Sequence, residues 1–235
     1  MNKNNEKMTI TINGGGPIGT IMAVTNGNGK IKAFVSNPEV HYIYNDTGKL
    51  AVGVAVGNEG TLQVIKDMGL KEPFCGSVPL QSGEIGDDFS YYFAASEQVP
   101  SVVSLGVLVN DTNEVLASGG FIIQLLPGAN EEDISYIEEK MKDFPSASSL
   151  IHERKTPEEI IQMLFEDAKI LDHQDLFFEC DCSREKMEQA LYSIDTKELQ
   201  AMIDEDHGCE ISCQFCNQKY QFNEEDLKQI INSRY

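Results

Sequence analysis

An α+β fold is predicted for this chain of 235 residues, closed by a small module that cannot fold on apolar burial alone. Three observations predict it. Strand-like runs punctuated by Gly and Asn turns fill the chain up to Pro145, and capped, helix-periodic segments follow. The last stretch holds two tight cysteine pairs in too little sequence for much core. The expected architecture is an N-terminal mixed sheet-and-helix core domain over 1–145, a helical linker over 146–178 and a small C-terminal zinc-binding domain over 179–235.

The first domain opens with a strand over Met8–Ile12, where apolar residues alternate with Thr. Thr20–Val24 and Lys30–Val35 flank Asn26-Gly27-Asn28-Gly29, a strong hairpin turn. Leu50–Val56 and Thr61–Ile65 read as a second hairpin across Gly57-Asn58-Glu59-Gly60. Val102–Val109 and Val115–Leu126 read as a third, joined through Asn110-Asp111-Thr112-Asn113. Between the last two, Glu84–Gln98 is a helix presenting Phe89, Tyr92 and Phe93. Asn130 caps another, with Glu131, Glu132 and Asp133 complementing its dipole. Its face of Ile134, Ile137, Met141 and Phe144 stops at Pro145.

Ser146-Ala147-Ser148-Ser149 reads as a joint. Thr156-Pro157-Glu158-Glu159 then combines a capping box with proline at the first helical position. It leads into an apolar stripe of Ile160, Ile161, Leu164, Phe165, Ala168 and Leu171, on pattern alone a core face. Short helices follow over Ser183–Ile194 and Thr196–Ile203, and a last one starts at Asn223.

Cys180 and Cys182 form C-x-C, and Cys213 and Cys216 form C-x-x-C. Two tight pairs supply the four thiolates of a tetrahedral Zn²⁺ site, each short loop giving two ligands without strain. The same pairs are close enough to oxidise. A structural zinc and a zinc-held redox switch therefore both fit the spacing. A thiol oxidoreductase acting through Cys213 and Cys216 is the enzymatic alternative, though a partner C-x-C makes ligation the simpler account.

Composition narrows the classes. A formal charge of −20, with 18 Lys and Arg among 38 acids, argues against nucleic acid as a partner. No apolar run approaches a membrane span, and the opening Met1–Met8 lacks a signal-peptide core. The expectation is a cytoplasmic protein whose thiols are reduced at rest.

Other motifs fail on context. Gly14–Gly19 satisfies G-x-G-x-x-G, but a strand and not a helix follows, so no dinucleotide site is expected. His41, His152, His173 and His207 show no ligand pairing, His207 being the nearest to the second cysteine pair. Cys75 has no evident base, and Glu84, Asp87 and Asp88 read as dipole complement at a helix start. No catalytic residues are assigned.

The cysteine spacing and the run Cys-Gln-Phe-Cys-Asn-Gln-Lys-Tyr-Gln-Phe at 213–222 resemble the heat-shock protein 33 family of redox-regulated chaperones. The first domain agrees at Gly14–Gly19, Phe34–Pro38, Ser82–Pro100, Gly106–Val109, Gly119–Phe121 and Gln124–Gly128. The resemblance implies one Zn²⁺ per chain on Cys180, Cys182, Cys213 and Cys216 in the reduced state. It implies redox-active disulfides among those cysteines on oxidation, loss of the metal, and binding of unfolded client proteins. Ile160, Ile161, Leu164, Phe165 and Leu171 are the candidate client-binding residues. Two departures stand out. The family begins with a further strand and helices ahead of Met8, whose absence would uncover an edge or apolar face and favour a homodimer. Cys209, just upstream of Cys213, is an extra thiol that could compete as a ligand.

Overall fold

The computed structural model describes residues 6–40, 50–112 and 114–234. His41 and Asn113 lie outside the described residues. By its internal contacts the chain forms two compact units, Met1–Gly29 with Val35–Asp175, and Lys30–Phe34 with Leu176–Tyr235. Among the described residues no helix is long and apolar enough to cross a membrane.

The first unit starts with β1 (Lys7–Asn13) and β2 (Ile21–Asn26), antiparallel with Ile10 opposite Ala23. Gly29, at φ 77°, closes the Asn26–Gly29 turn into β3 (Lys30–Val35). The expected strand over 50–56 is instead one helical turn, α1 (Val52–Val56). An unbroken apolar run does not distinguish a buried strand from a buried helix. Here the ladder position is taken by β4 (Thr61–Asp67), flanked by β1 and by β5 (Phe74–Pro79), a strand the sequence reading missed. The carbonyls of Ala55 and Val56 accept from the Ile18 and Gly16 N–H groups at 3.0 and 2.9 Å. That contact explains the glycine run: a Cβ on Gly14 would lie 2.2 Å from the Gly57 carbonyl oxygen. These glycines allow backbone to meet backbone, with no phosphate involved.

α2 (Ile85–Ala95) covers the sheet, and Ile12, Val56, Leu62, Val64, Val78, Leu80 and Tyr92 form the buried core. The Tyr92 hydroxyl donates to Glu97 Oε1 at 2.5 Å, and Lys66 Nζ reaches the same oxygen at 2.6 Å. Burial pushes the Glu97 carboxyl up, but the Lys66 and Tyr92 hydrogen bonds outweigh it and hold it below its ordinary value. A carboxyl depressed by folding stabilises the fold above its unfolded pKa near 4.5, and that contribution fades as pH falls through the lower folded value. Glu97→Gln is therefore expected to melt below wild type at pH 7, with the gap narrowing as pH falls below about 4.5. Parallel thermal melts across that range check this; a gap that does not change with pH would refute it.

β6 (Ser101–Val109) and β7 (Val115–Gln124) form a separate antiparallel pair with a register shift at Leu108/Val109. α3 (Glu131–Lys142) starts at Asn130 as expected, and Asn130 and Asp133 bond reciprocally in a capping box that the sequence reading had not named. The expected joint at 146–149 is a correction: Ser146 caps α4 (Ala147–His152), and Ala147, Ser148 and Leu150 are buried. Small side chains let this helix lie close on the glycines of the strands. A Cβ on Gly106 would meet Ser148 Oγ at 2.6 Å and the Ser148 nitrogen at 3.3 Å. Gly106→Val should cost about 1–3 kcal/mol, read from the denaturant midpoint, because the obstacle is partly backbone.

α5 (Pro157–Leu164) has its capping box and N-terminal proline as expected. Its helix ends where Phe165 turns extended, so the expected stripe stops there. Ile160 and Leu164 are buried beside Leu150, whereas Leu171 lies past the helix and is 93% exposed.

In the second unit the start of β3 pairs in parallel with β8 (Phe177–Phe178), a strand with no local signal. α6 (Arg184–Leu191) and α7 (Thr196–Asp206) follow, then β9 (Gly208–Ser212), β10 (Lys219–Asn223) and α8 (Glu224–Asn232). The β9–β10 hairpin was not expected from sequence. His207, at φ 58°, ends α7 in the left-handed conformation, and a Cβ on Gly208 would lie 2.4 Å from the Phe222 carbonyl oxygen. Leu191, Leu199, Ile203, Phe222, Leu227 and Ile230 form a core of this unit's own, larger than the sequence reading allowed.

Candidate metal centre

Each cysteine pair is placed by a short, hydrogen-bonded connection. Cys180 and Cys182 follow β8 directly, where the Glu179 N–H donates to the Ile31 carbonyl at 2.9 Å. Immediately after them, Ser183 Oγ accepts the Lys186 N–H and starts α6. Cys213 and Cys216 occupy the tip of the β9–β10 hairpin. The Cys213 N–H donates to the Gln218 carbonyl at 2.9 Å, and the Asn217 N–H to the Cys213 carbonyl at 2.7 Å. Asn217 takes the left-handed conformation at φ 59°, which asparagine tolerates. The tip thus folds back on itself and turns two sulfurs the same way.

All four sulfurs lie within 4.8 Å of one another. Cys180 Sγ is 3.6 Å from Cys213 Sγ, and Cys182 Sγ is 3.4 Å from Cys216 Sγ. Metal–sulfur bonds of about 2.3 Å in a tetrahedron put sulfurs about 3.8 Å apart. The four thiols therefore fit a small tetrahedral ion, and the cluster could hold a metal.

The electrostatics point the same way. Burial pushes the Cys180 thiol up to about 12, with the neighbouring thiols adding to it. Burial also opposes ionisation of Cys213, but the Phe215 and Cys216 N–H groups and Cys180 outweigh it and bring Cys213 down to about 7. Without an ion, four crowded sulfurs cannot all ionise, and a divalent cation removes that conflict. Tyr220, on β10, donates its hydroxyl to Cys182 Sγ at 3.1 Å.

The residues inside the motifs are held by the start of β3. Lys30 pairs with Glu179, and Lys32 with Asp181, the central residue of C-x-C. Lys186 and then Lys32 hold the Asp181 carboxyl well below the usual carboxylate range. Lys32 Nζ also sits 4.8 Å from the ring of Phe215, inside C-x-x-C. Phe34 meets that ring edge-on at 5.3 Å. Sequence reasoning missed Lys32 and Phe34. Their only local signal is the period-2 spacing of Lys30, Lys32 and Phe34, which puts them on one strand face.

Other expected positions fall elsewhere. His207 Nδ1 pairs with Glu224 at 2.8 Å and is not among the clustered ligand atoms. Cys209 packs on the terminal core, opposite Phe222 in the hairpin, and is also outside the cluster. Cys75 is exposed on β5. Asp87 and Asp88 stand in the first turn of α2, as expected for a dipole complement, and Asp88 has a second role. It is fully buried, and its Oδ1 accepts the Gln81 and Ser82 N–H groups at 2.7 and 3.2 Å. Glu84 Oε1 likewise accepts the Gly53 N–H at 2.9 Å. Asp88 thus clamps the loop before α2, and Glu84 the first turn of α1.

Fold and site together define an α+β protein with a four-thiol centre built from C-x-C and C-x-x-C. The chain belongs to the heat-shock protein 33 family: the family model described as Hsp33 protein matches residues 1–223. It is 52% identical to the 33 kDa chaperonin of Shouchella clausii (strain KSM-K16) over 233 residues, covering 98% of this chain and 79% of that relative. Identity to the 33 kDa chaperonin of Bacillus subtilis (strain 168) is 50% over 229 residues, covering 97% and 79%. The crystal structure of the 33 kDa chaperonin from Thermotoga maritima superposes with a TM-score of 0.86 at 37% identity. It matches 97% of this chain and 78% of its own.

Proposed function

We propose that this chain is a redox-regulated molecular chaperone, a holdase that is quiescent while reduced and metal-bound and binds unfolding proteins after its cysteines are oxidised. The observation that carries the reading is the convergence of Cys180, Cys182, Cys213 and Cys216 in a chain whose relatives are named 33 kDa chaperonins. Zinc suits four thiolate donors in a closed site, where it would hold the sulfurs deprotonated and tie the two motifs together. In this reading residues 1–145 are the core domain, 146–178 the linker and 179–235 the sensor.

The chain's own sulfurs do the switching. A thiolate attacks the O–O bond of a hydroperoxide, becomes a sulfenic acid and releases water or an alcohol. A neighbouring thiol then displaces the sulfenic oxygen as water, leaving a disulfide. Cys213 with Cys216 and Cys180 with Cys182 are the pairs proposed, the second strained because its ring is small. Each disulfide removes two ligands, and the sensor loses the cross-link between its motifs. The linker then loses its folded C-terminal neighbour, and Ile160, Ile161, Leu164, Phe165 and Leu171 become available to apolar segments of clients. No ATP and no chemistry on the client are involved, so the reading is not enzymatic. The net charge of −20 keeps the client-loaded protein soluble and disfavours nucleic acid, and reduced resting thiols fit the cytoplasm.

The test follows one sample through oxidation. Zinc content and suppression of thermal aggregation of a model client are measured before and after peroxide with mild heating, then after dithiothreitol. Zinc release together with a reversible gain of holdase activity supports the switch. Metal that leaves without any gain of client binding would assign a purely structural site.

A further inference from the structure

We infer that Tyr220 is a positioning residue of the thiol centre: its hydroxyl anchors Cys182 Sγ, keeping that sulfur as a ligand and shielding it from oxidants. The inference rests on the reading of the four thiols as a metal centre. Its observation is separate, a phenol oxygen 3.1 Å from one particular sulfur. Among the described residues no other hydroxyl bonds any of the four sulfurs.

The donor is rigidly held. Tyr220 stands opposite Ile211 in the β9–β10 ladder, and its half-buried ring packs on the core of Leu199, Phe222 and Leu227. Cys182 is half-buried beside the exposed Cys216 and directly precedes Ser183, the cap of α6. Its sulfur lies 3.4 Å from Cys216 Sγ, and the tyrosine hydroxyl gives it a second tie to the hairpin that carries Cys213 and Cys216.

Two consequences follow. A hydrogen bond to a ligand from outside the coordination shell fixes the ligand's direction, and losing such a partner commonly lowers metal affinity 10–100-fold. A proton shared with a thiolate also withdraws electron density, and nucleophilicity falls with it. Oxidation by hydrogen peroxide needs a sulfur to attack one peroxide oxygen, transferring two electrons while the other oxygen leaves as hydroxide. Tyr220 disfavours Cys182 as that sulfur.

The experiment compares wild type, Tyr220→Phe and Tyr192→Phe as full chains reconstituted with zinc. Tyr192 is the control because its hydroxyl accepts from Ser233 and touches no sulfur. Zinc affinity is read by competition with a chromogenic chelator, and Cys182 oxidation by mass-spectrometric thiol mapping during a peroxide time course. Tyr220→Phe is expected to weaken zinc binding about 10–100-fold and to hasten Cys182 modification, with the control unchanged. Unaltered affinity and unaltered Cys182 reactivity would overturn the inference. In case the variant does not fold, the ring carbon bearing the Tyr220 hydroxyl is followed by NMR in wild type. Its shift should move when zinc is added, and a shift that stays put overturns the inference as well. If wild type itself binds no zinc, the metal-centre reading fails instead, and the two failures are distinct.

Discussion

Cys213→Ser is expected to lose bound zinc and, with it, the cooperative folding of the second unit, while the first unit stays folded. Cys213 is the sulfur most committed to the site. It is 4% exposed, its backbone closes the hairpin tip, and its sulfur lies 3.6 Å from that of Cys180 across the two motifs. Serine keeps the shape but offers a hydroxyl that does not ionise near neutral pH, so a closed four-thiolate site becomes a three-thiolate one. A structural zinc contributes about 10–16 kcal/mol of apparent binding free energy at pH 7, more than the whole stability of many domains. The second unit keeps its own core of Leu191, Leu199, Ile203, Phe222, Leu227 and Ile230. That core lies in α6–α8 and β10, so the segments carrying the cysteines should open first. Metal stoichiometry and amide hydrogen exchange read the outcome: protection lost first over 176–183 and 212–218, then across the rest of the second unit, and kept in β1, β4 and β5. Holdase activity without oxidant should accompany it. Cys75→Ser and Cys209→Ser, outside the cluster, should retain wild-type zinc. A Cys213→Ser protein that keeps one tightly bound zinc would sink the assignment.

The second large effect is expected from the start of β3. Lys32→Ala combined with Phe34→Ala should leave the zinc ligands intact yet make the centre open more readily to peroxide. Lys32 pairs with Asp181 and lies over Phe215, and Phe34 stacks edge-on against the same ring, so one strand face holds the middle of both motifs. An edge-to-face aromatic pair contributes about 0.5–1.5 kcal/mol, an exposed cation–π contact about 0.5–1, and an exposed ion pair less than about 1. Removing all three should cost about 2 kcal/mol, and a tenfold change corresponds to about 1.4. Zinc release at limiting peroxide should therefore accelerate roughly thirtyfold. Stopped-flow detection with a chromogenic chelator measures it, beside a thermal melt of the reduced protein. Release at the wild-type rate would mean that this strand does not restrain the motifs.

What was legible in the sequence was local. The helix start at Asn130, the capping box at Thr156, the helix start at Asn223 and the turn at Asn26–Gly29 depend on residues within one or two turns of each other, and each stands where expected. The four cysteines were legible for the same reason, since C-x-C and C-x-x-C constrain ligand geometry within each pair. Apolar periodicity was less sufficient. It carried the stripe of α5 past Phe165, where the backbone turns extended, and it made a strand of the helical turn at Val52–Val56.

The sequence alone determined the fold class, the order of most helices, the identity of the clustered sulfurs and the family. Only the tertiary structure decided which distant segments meet. It paired Lys30 and Ile31 with Phe177 and Phe178, set Lys32 and Phe34 on the motif interiors, and brought Tyr220 to Cys182. The physical reason is the range of the forces concerned. Caps, turns and metal-ligand spacings are satisfied by near neighbours in the chain. Partners 38 residues apart, as Tyr220 and Cys182, or 149 apart, as Lys32 and Asp181, are chosen by the packing of the chain, which no local pattern encodes.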